Sequence, residues 1–378
     1  MRIQAVQDIV DFLRHKKKKV RTDIITEFHK KYNPPASTYK NLIVTQGFGH
    51  SGTGVIIDLL LEFDNTTVLG GYGDGEGLLT NPFPPFEFDL IRQYGGVFNL
   101  ENICREFPSF YKQNYIANFI NLVEYYFQSD IPIFNDKFLE LSYDFIDKLT
   151  EKKIKMSAPL AVDISFFYKE SAFIRKDYKN LMCPYYYDET RDNRYSYYIK
   201  NLEIAEYRKI AKKYLQDFFN TIESKENLVL DFGLCDYEAD FDKYQEYVGD
   251  YKYITVYRDP RDVYIQGMIL LGENWMPQNV EDFVFWYNDK NKNLDKYINS
   301  NDSRQLVLRF EELVLNYDES LSKILNFLNI DKSHHIAPKA QFRPEVSIKN
   351  IGLYKNAENK KAIEYIYTHL KDYCYNLK

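Results

Sequence analysis

Residues 41–62 constrain this chain more than any other stretch. Asn41-Leu42-Ile43-Val44-Thr45 is a short, largely apolar run of the kind that forms a strand inside a parallel sheet. A glycine-rich turn follows, Gly47-Phe48-Gly49-His50-Ser51-Gly52-Thr53-Gly54, and then an apolar helix from Val55 to Glu62. Strand, glycine-rich turn and helix are the parts of a phosphate cradle. The glycines let the backbone turn sharply and aim N–H groups at one point, and the helix N-terminus adds partial positive charge there. Gly47 and Gly52 have the spacing of a nucleoside-triphosphate loop, but Thr53 stands where that loop needs its lysine. The same turn in a chain that binds nothing is only a tight turn, so a loop of this kind is weak on its own.

The rest of the chain alternates in the same manner. Leu228-Val229-Leu230, Tyr253 to Tyr257 and Gln305 to Phe310 read as further strands. Leu321, Ile324, Leu325 and Leu328 make the apolar stripe of a helix after the last of them, and Ile204, Tyr207, Ile210, Ala211, Tyr214, Leu215, Phe218 and Phe219 make another. Strands alternating with helices predict an α/β fold with a central, mostly parallel sheet flanked by helices. Residues 1–37 read as a helical N-terminal extension ending at Asn33-Pro34-Pro35, residues 105–224 as a mostly helical insertion, residues 70–85 as a long loop rich in Gly and Pro, and residues 361–378 as a C-terminal helix. The main domain is expected over 38–360.

Composition excludes several classes. The chain has 378 residues, 45% hydrophobic and 28% charged, which is globular rather than disordered. A net charge of −6 argues against a general nucleic-acid binder. The 34 tyrosines and 27 phenylalanines are spread along the chain, so the run Tyr185 to Tyr198 is background before it is a sugar-stacking surface. The apolar run Val55 to Leu61 is broken by Asp58 and stopped by Glu62, too short to span a membrane. Cys104, Cys183, Cys235 and Cys374 lie far apart, in no metal-ligand spacing, and adjacent His334-His335 make a poor chelate, so no metal is expected. Scattered thiols and first residues without the apolar segment of a secretory signal suit the cytoplasm. The basic run His15 to Lys19 reads as a solvated helix end or as a contact with an anionic membrane surface.

With those residues in view, the glycine-rich turn resembles the 5′-phosphosulfate loop of sulfotransferases, enzymes that use 3′-phosphoadenosine 5′-phosphosulfate (PAPS). That loop has a basic residue, then Ser-Gly-Thr or Ser-Gly-Ser, then an apolar helix, and His50-Ser51-Gly52-Thr53 fits the four places. Ile254 to Tyr264, with Arg258-Asp259-Pro260-Arg261-Asp262-Val263, is similar to the family's 3′-phosphate segment. Leu306 to Val314 with Ile324 to Leu328 resembles its C-terminal strand and helix, and Phe342-Arg343-Pro344 with Ser347 to Lys355 its closing loop. These pieces lie in the family's order over residues 40–356, while 105–224 carries no family motif.

The resemblance implies transfer of a sulfuryl group to a hydroxyl acceptor by in-line displacement, which is positioning and electrostatic work like phosphoryl transfer. It assigns the 5′-phosphate to Gly49, His50, Ser51, Gly52, Thr53 and Gly54, and puts His50 beside the leaving oxygen, where the family usually has Lys or Arg. It assigns the 3′-phosphate to Arg258, whose geometry suits bidentate contact, although an ion pair with Asp259 or Asp262 is the plainer use of that side chain. Gln266 stands where the family has serine. Lys349 and Lys355 reach the nucleotide from the closing loop or are simply solvated. The base is Glu87, whose apolar flanks would raise its pKa, or Glu76. The acceptor implied is a hydroxyl on a saccharide, with a protein tyrosine or a small alcohol left open. A P-loop nucleotide-dependent kinase and a non-catalytic nucleotide-binding module are the alternatives.

Overall fold

The computed structural model describes residues 39–47, 49–70, 90–91, 96–107, 109–129, 131–155, 195–234, 241–272, 276–292, 294–299 and 301–377. The N-terminal extension with its basic run, residues 71–85 of the Gly- and Pro-rich loop, and Glu76 and Glu87 lie outside the described residues. Two compact units divide the chain: one within 89–223 with 246–248, the other within 38–88, 224–245 and 249–378.

The second unit is built on a five-stranded sheet of β1 (Asn41–Gly47), β2 (Thr66–Leu69), β5 (Asn227–Leu234), β6 (Lys252–Tyr257) and β7 (Gln305–Arg309), in the spatial order β2-β5-β1-β6-β7. Every pairing is parallel, which is the α/β sheet that the alternation predicts. Apolar runs make this possible, because both sheet faces are covered along the central strands: Ile43, Val229, Ile254 and Val256 are buried on one face, and Leu42, Val44, Leu228 and Leu230 on the other. Helices α1 (Gly54–Leu61), α8 (Phe310–Leu315) and α9 (Tyr317–Leu328) supply the other side of that core through Ile56, Leu60, Leu313, Leu321, Ile324 and Leu328. From β1 the chain leaves toward β2 on one side; from β6 it leaves toward β7 on the other. The carboxyl ends of β1 and β6 therefore flank a topological switch point, where open parallel sheets bind ligands.

The first unit contains α2 (Ser109–Gln128), α3 (Asp136–Leu149), α4 (Ile204–Asn220) and an antiparallel pair, β3 (Thr150–Lys155) with β4 (Tyr195–Ile199). Its core is aromatic. Phe145 stacks on Tyr214 at 4.6 Å, Phe134 on Tyr126 at 4.4 Å, and Phe138 packs on Phe218 at 5.1 Å. Tyr214 brings its hydroxyl to Ser142 Oγ at 2.8 Å, so this ring is buried with its polar end satisfied. Tyr126, Tyr207 and Tyr214 are core packing, whereas Tyr111, Tyr125 and Tyr198 are exposed.

Three details go beyond the expectations or differ from them. The stretch 105–224 holds the β3–β4 pair besides its helices. Ile204 is exposed, because it opens α4 and the buried stripe starts one turn later at Tyr207. The C-terminal helix covers Lys360–His369, and the chain turns at Lys371–Tyr373 to bring Tyr375 back to Asp259.

Glu62 ends the apolar run but is not a surface stop: it is fully buried. Its carboxylate accepts from the backbone N–H groups of Lys339, Gln341 and Phe342, and lies 2.6 Å from His335 Nε2. His335 in turn stacks on Phe63 at 4.5 Å, while His334 Nδ1 lies 2.7 Å from Asp64. The two histidines hold a loop to the end of α1.

Candidate functional site

The turn after β1 is shaped by close approach. A Cβ at Gly47 would overlap Ser51 Oγ and Thr53 Cγ2 and would sit 2.7 Å from the Val256 carbonyl on β6. Gly52 has φ +92°, and a Cβ there would overlap the Phe310 ring, 3.0 Å from its Cγ. His50 holds φ +62°, a left-handed conformation that a side chain rarely adopts. Beyond Gly54, by contrast, a Cβ would meet open space. The turn thus presents Ser51 inward: the residue is 2% exposed, and its Oγ is buried with no hydrogen-bond partner. Thr53 caps α1 by backbone position, without a side-chain hydrogen bond.

Arg258 follows β6 and is 2% exposed. Its Nη1 donates to the His50 carbonyl at 3.0 Å and to Gln266 Oε1; its Nη2 donates to the Asn350 carbonyl at 2.5 Å. The guanidinium lies 4.9 Å from the Phe310 ring centroid. Its Nε is buried without a hydrogen-bond partner. Burial lowers the Arg258 pKa, and Asp262, Glu311 and Asp259 act the other way. The ion pair that would explain this arginine most plainly goes elsewhere: Asp259 takes Arg261, at 3.0 Å from Nε and 2.6 Å from Nη2, and the Tyr375 N–H at 2.8 Å. Asp262 accepts from the Gly352 and Tyr354 N–H groups. Arg261 packs between Tyr354 and Tyr367, 3.7 and 5.2 Å from their centroids. Arg261, Asp259 and Asp262 are therefore structural and tie residues 352–375 to the segment after β6.

Gln266 stands on a π-helical segment, Ile265–Leu271, where its side chain orients Arg258. One residue on, a Cβ at Gly267 would lie 2.9 Å from Met276 Cε and 3.2 Å from His50 Cδ2, so Gly267 makes room for the His50 ring. His50, Ser51, Arg258 and Gln266 are thus brought together. Lys349 and Lys355 are exposed; Lys349 lies in the turn whose Asn350 carbonyl meets Arg258.

Two residues of this place carry no signal in sequence spacing. Phe310 lies under both Gly52 and Arg258, and Glu311 accepts the Asp259 N–H at 2.9 Å. Glu311 is fully buried, its Oε2 has no hydrogen-bond partner, and burial pushes its pKa up to about 7. The β6–β7 register, Tyr257 opposite Arg309, is what sets Phe310 beside Arg258.

A ligand with two anionic groups fits these residues on a specific ground. Ser51 Oγ and Arg258 Nε are buried and hydrogen-bond-capable, and each needs an acceptor that the chain itself does not supply among the described residues. An anion at the N-terminus of α1 and a second one at Arg258 would satisfy both. Among the described residues, no cluster of His, Cys, Asp or Glu is arranged to hold a metal ion, and no helix is long and apolar enough to cross a membrane.

No protein-family model matches this chain, and no curated protein does. Among solved structures it is similar to the sulfotransferase domain from the Synechococcus PCC 7002 olefin synthase, at 14% identity and TM-score 0.37 over 92% of this chain and 99% of that one. The sulfotransferase domain from the curacin biosynthetic pathway gives 12% and 0.37 over 90% and 100%. Sulfotransferase STF1 from Mycobacterium tuberculosis H37Rv gives 10% and 0.36 over 94% and 80%. All three fall below a TM-score of 0.5.

Proposed function

We propose that this chain is a sulfotransferase that takes PAPS as donor and a hydroxyl group, in a saccharide, as acceptor. The observation that carries the reading is the pair of buried, unsatisfied groups, Ser51 Oγ and Arg258 Nε, on the turns that leave β1 and β6 at the switch point. PAPS supplies a sulfuryl group on a 5′-phosphate and a separate 3′-phosphate. The backbone of Gly49 to Gly54, with the Ser51 and Thr53 hydroxyls, holds the first of these anions. Arg258, oriented by Gln266, holds the second through its Nε edge. His50, against Gly267, donates to the oxygen on which negative charge develops. Glu87, or failing it Glu76, takes the acceptor proton. Lys349 and Lys355 add positive charge at the entrance. The reading calls for no metal and suits the cytoplasm, and the run His15 to Lys19 is a solvated helix end or a contact with an anionic membrane surface.

The test is release of adenosine 3′,5′-bisphosphate from PAPS in the presence of hydroxyl-bearing saccharides. Wild-type protein should turn over, His50→Ala should bind the donor and lose turnover, and His50→Lys should regain part of it. Turnover that persists unchanged in His50→Ala would remove the assignment of His50. Transfer from ATP with Mg²⁺ and none from PAPS would replace the reading with a kinase.

A further inference from the structure

One dipeptide touches both candidate anion-binding turns. The Phe310 ring meets Gly52 so closely that a Cβ there would overlap its Cδ2, and the Arg258 guanidinium rests on the same ring, 4.9 Å from its centroid. Phe310 is nearly buried in the core beneath the sheet's carboxyl edge, so its position is fixed by packing on α1 and α9. Next to it, Glu311 Oε1 holds the Asp259 N–H at 2.9 Å and so fixes the backbone just after Arg258. The two turns are also joined directly, by Arg258 Nη1 to the His50 carbonyl at 3.0 Å. An aromatic ring is rigid and of constant thickness, with only two torsions to order. A flat ring between a glycine and a guanidinium therefore sets the spacing of the two turns.

We infer that Phe310 and Glu311 are positioning residues that fix the separation of the Gly49–Gly54 turn from Arg258, and thereby select nucleotides that carry two separate anionic groups over those with one. The ligand class rests on the reading given under Proposed function; the spacing itself does not. Phe310→Leu keeps apolar volume and removes the flat face, while Phe310→Tyr keeps the face.

Two readouts test this on the full chain. Hydrogen exchange without ligand reads the turns themselves. In Phe310→Leu, amides of 49–55 and 258–262 should exchange about tenfold faster together, and in Phe310→Tyr they should stay near wild type. Glu311→Ala, which leaves the ring in place, should speed 258–262. Calorimetric titration with adenosine 3′,5′-bisphosphate and with adenosine 5′-monophosphate reads selectivity. The ratio of the two affinities should fall by about tenfold in Phe310→Leu and hold in Phe310→Tyr. Faster exchange confined to β7 and α8, or equal weakening of both nucleotides, would overturn the inference. A wild-type ratio near one would instead overturn the PAPS reading, and the exchange experiment decides the spacing in either event.

Discussion

Replacing Glu311 by glutamine should abolish a pH dependence built into the sheet's carboxyl edge. Glu311 is fully buried, one oxygen bound to the Asp259 N–H and the other without a partner. Burial raises its pKa from an ordinary 4.5 to about 7, against the pull of the Asp259 and Glu311 N–H groups and Arg309. Folding therefore binds a proton more tightly than the unfolded chain does between those values. Stability from this group is greatest at low pH, falls as pH rises from about 4.5 through about 7, and is level above. The full difference is about 3 kcal/mol, of which most is lost between pH 5 and pH 8. Glutamine keeps the acceptor oxygen and the shape and cannot ionise. Hydrogen exchange of the β6 and β7 amides, corrected for the intrinsic rate at each pH, reads the opening of this unit alone. Wild type should lose about 2–3 kcal/mol relative to Glu311→Gln from pH 5 to pH 8. A difference between the two proteins that stays constant across that range would refute the reasoning.

Gly52→Ala should cost about 2–5 kcal/mol, from left-handed strain together with overlap of the Phe310 ring; Gly54→Ala, in open space at the start of α1, should leave stability unchanged or raise it by up to about 1 kcal/mol. Thermal melting of the two variants side by side checks the contrast. Glu62→Ala removes four hydrogen-bonding contacts at once, from three backbone N–H groups and His335, and should cost about 3–5 kcal/mol, read as a lower melting temperature with faster exchange at 339–342.

Much of this was legible in the sequence where the signal is local. β1, β5 and β6 announce themselves as apolar runs because both faces of the sheet are covered there, and β7, at the sheet's edge with only Leu308 buried, shows through Leu306-Val307-Leu308. β2 does not, since Thr66-Thr67-Val68-Leu69 is short and half threonine, yet all four residues are buried at one end of the strand order. The β3–β4 pair is hidden by Glu151-Lys152-Lys153, charges that read as helix or loop. The burial of Glu62 is not legible, because a lone carboxylate is normally solvated and only the fold reveals the N–H groups that replace water around it. The turn after β1 is legible because its glycines, Ser51 and His50 are contiguous. Arg258 and Gln266 are legible through the family resemblance, although the carbonyls that hold the arginine are not. Phe310, Glu311 and Asn350 lie in segments that the family resemblance picks out, but their contacts with Arg258 and Asp259 come from strand register and from a loop folded back, which a one-dimensional pattern does not encode.

The most direct test of the two-anion site is calorimetric titration with adenosine 3′,5′-bisphosphate, with ATP and AMP alongside, on wild type, Ser51→Ala and Arg258→Ala. The buried Ser51 Oγ and Arg258 Nε predict selective binding of the bisphosphate, weakened in Ser51→Ala and lost in Arg258→Ala. Equal affinity for all three nucleotides, or bisphosphate binding untouched in Arg258→Ala, would contradict it.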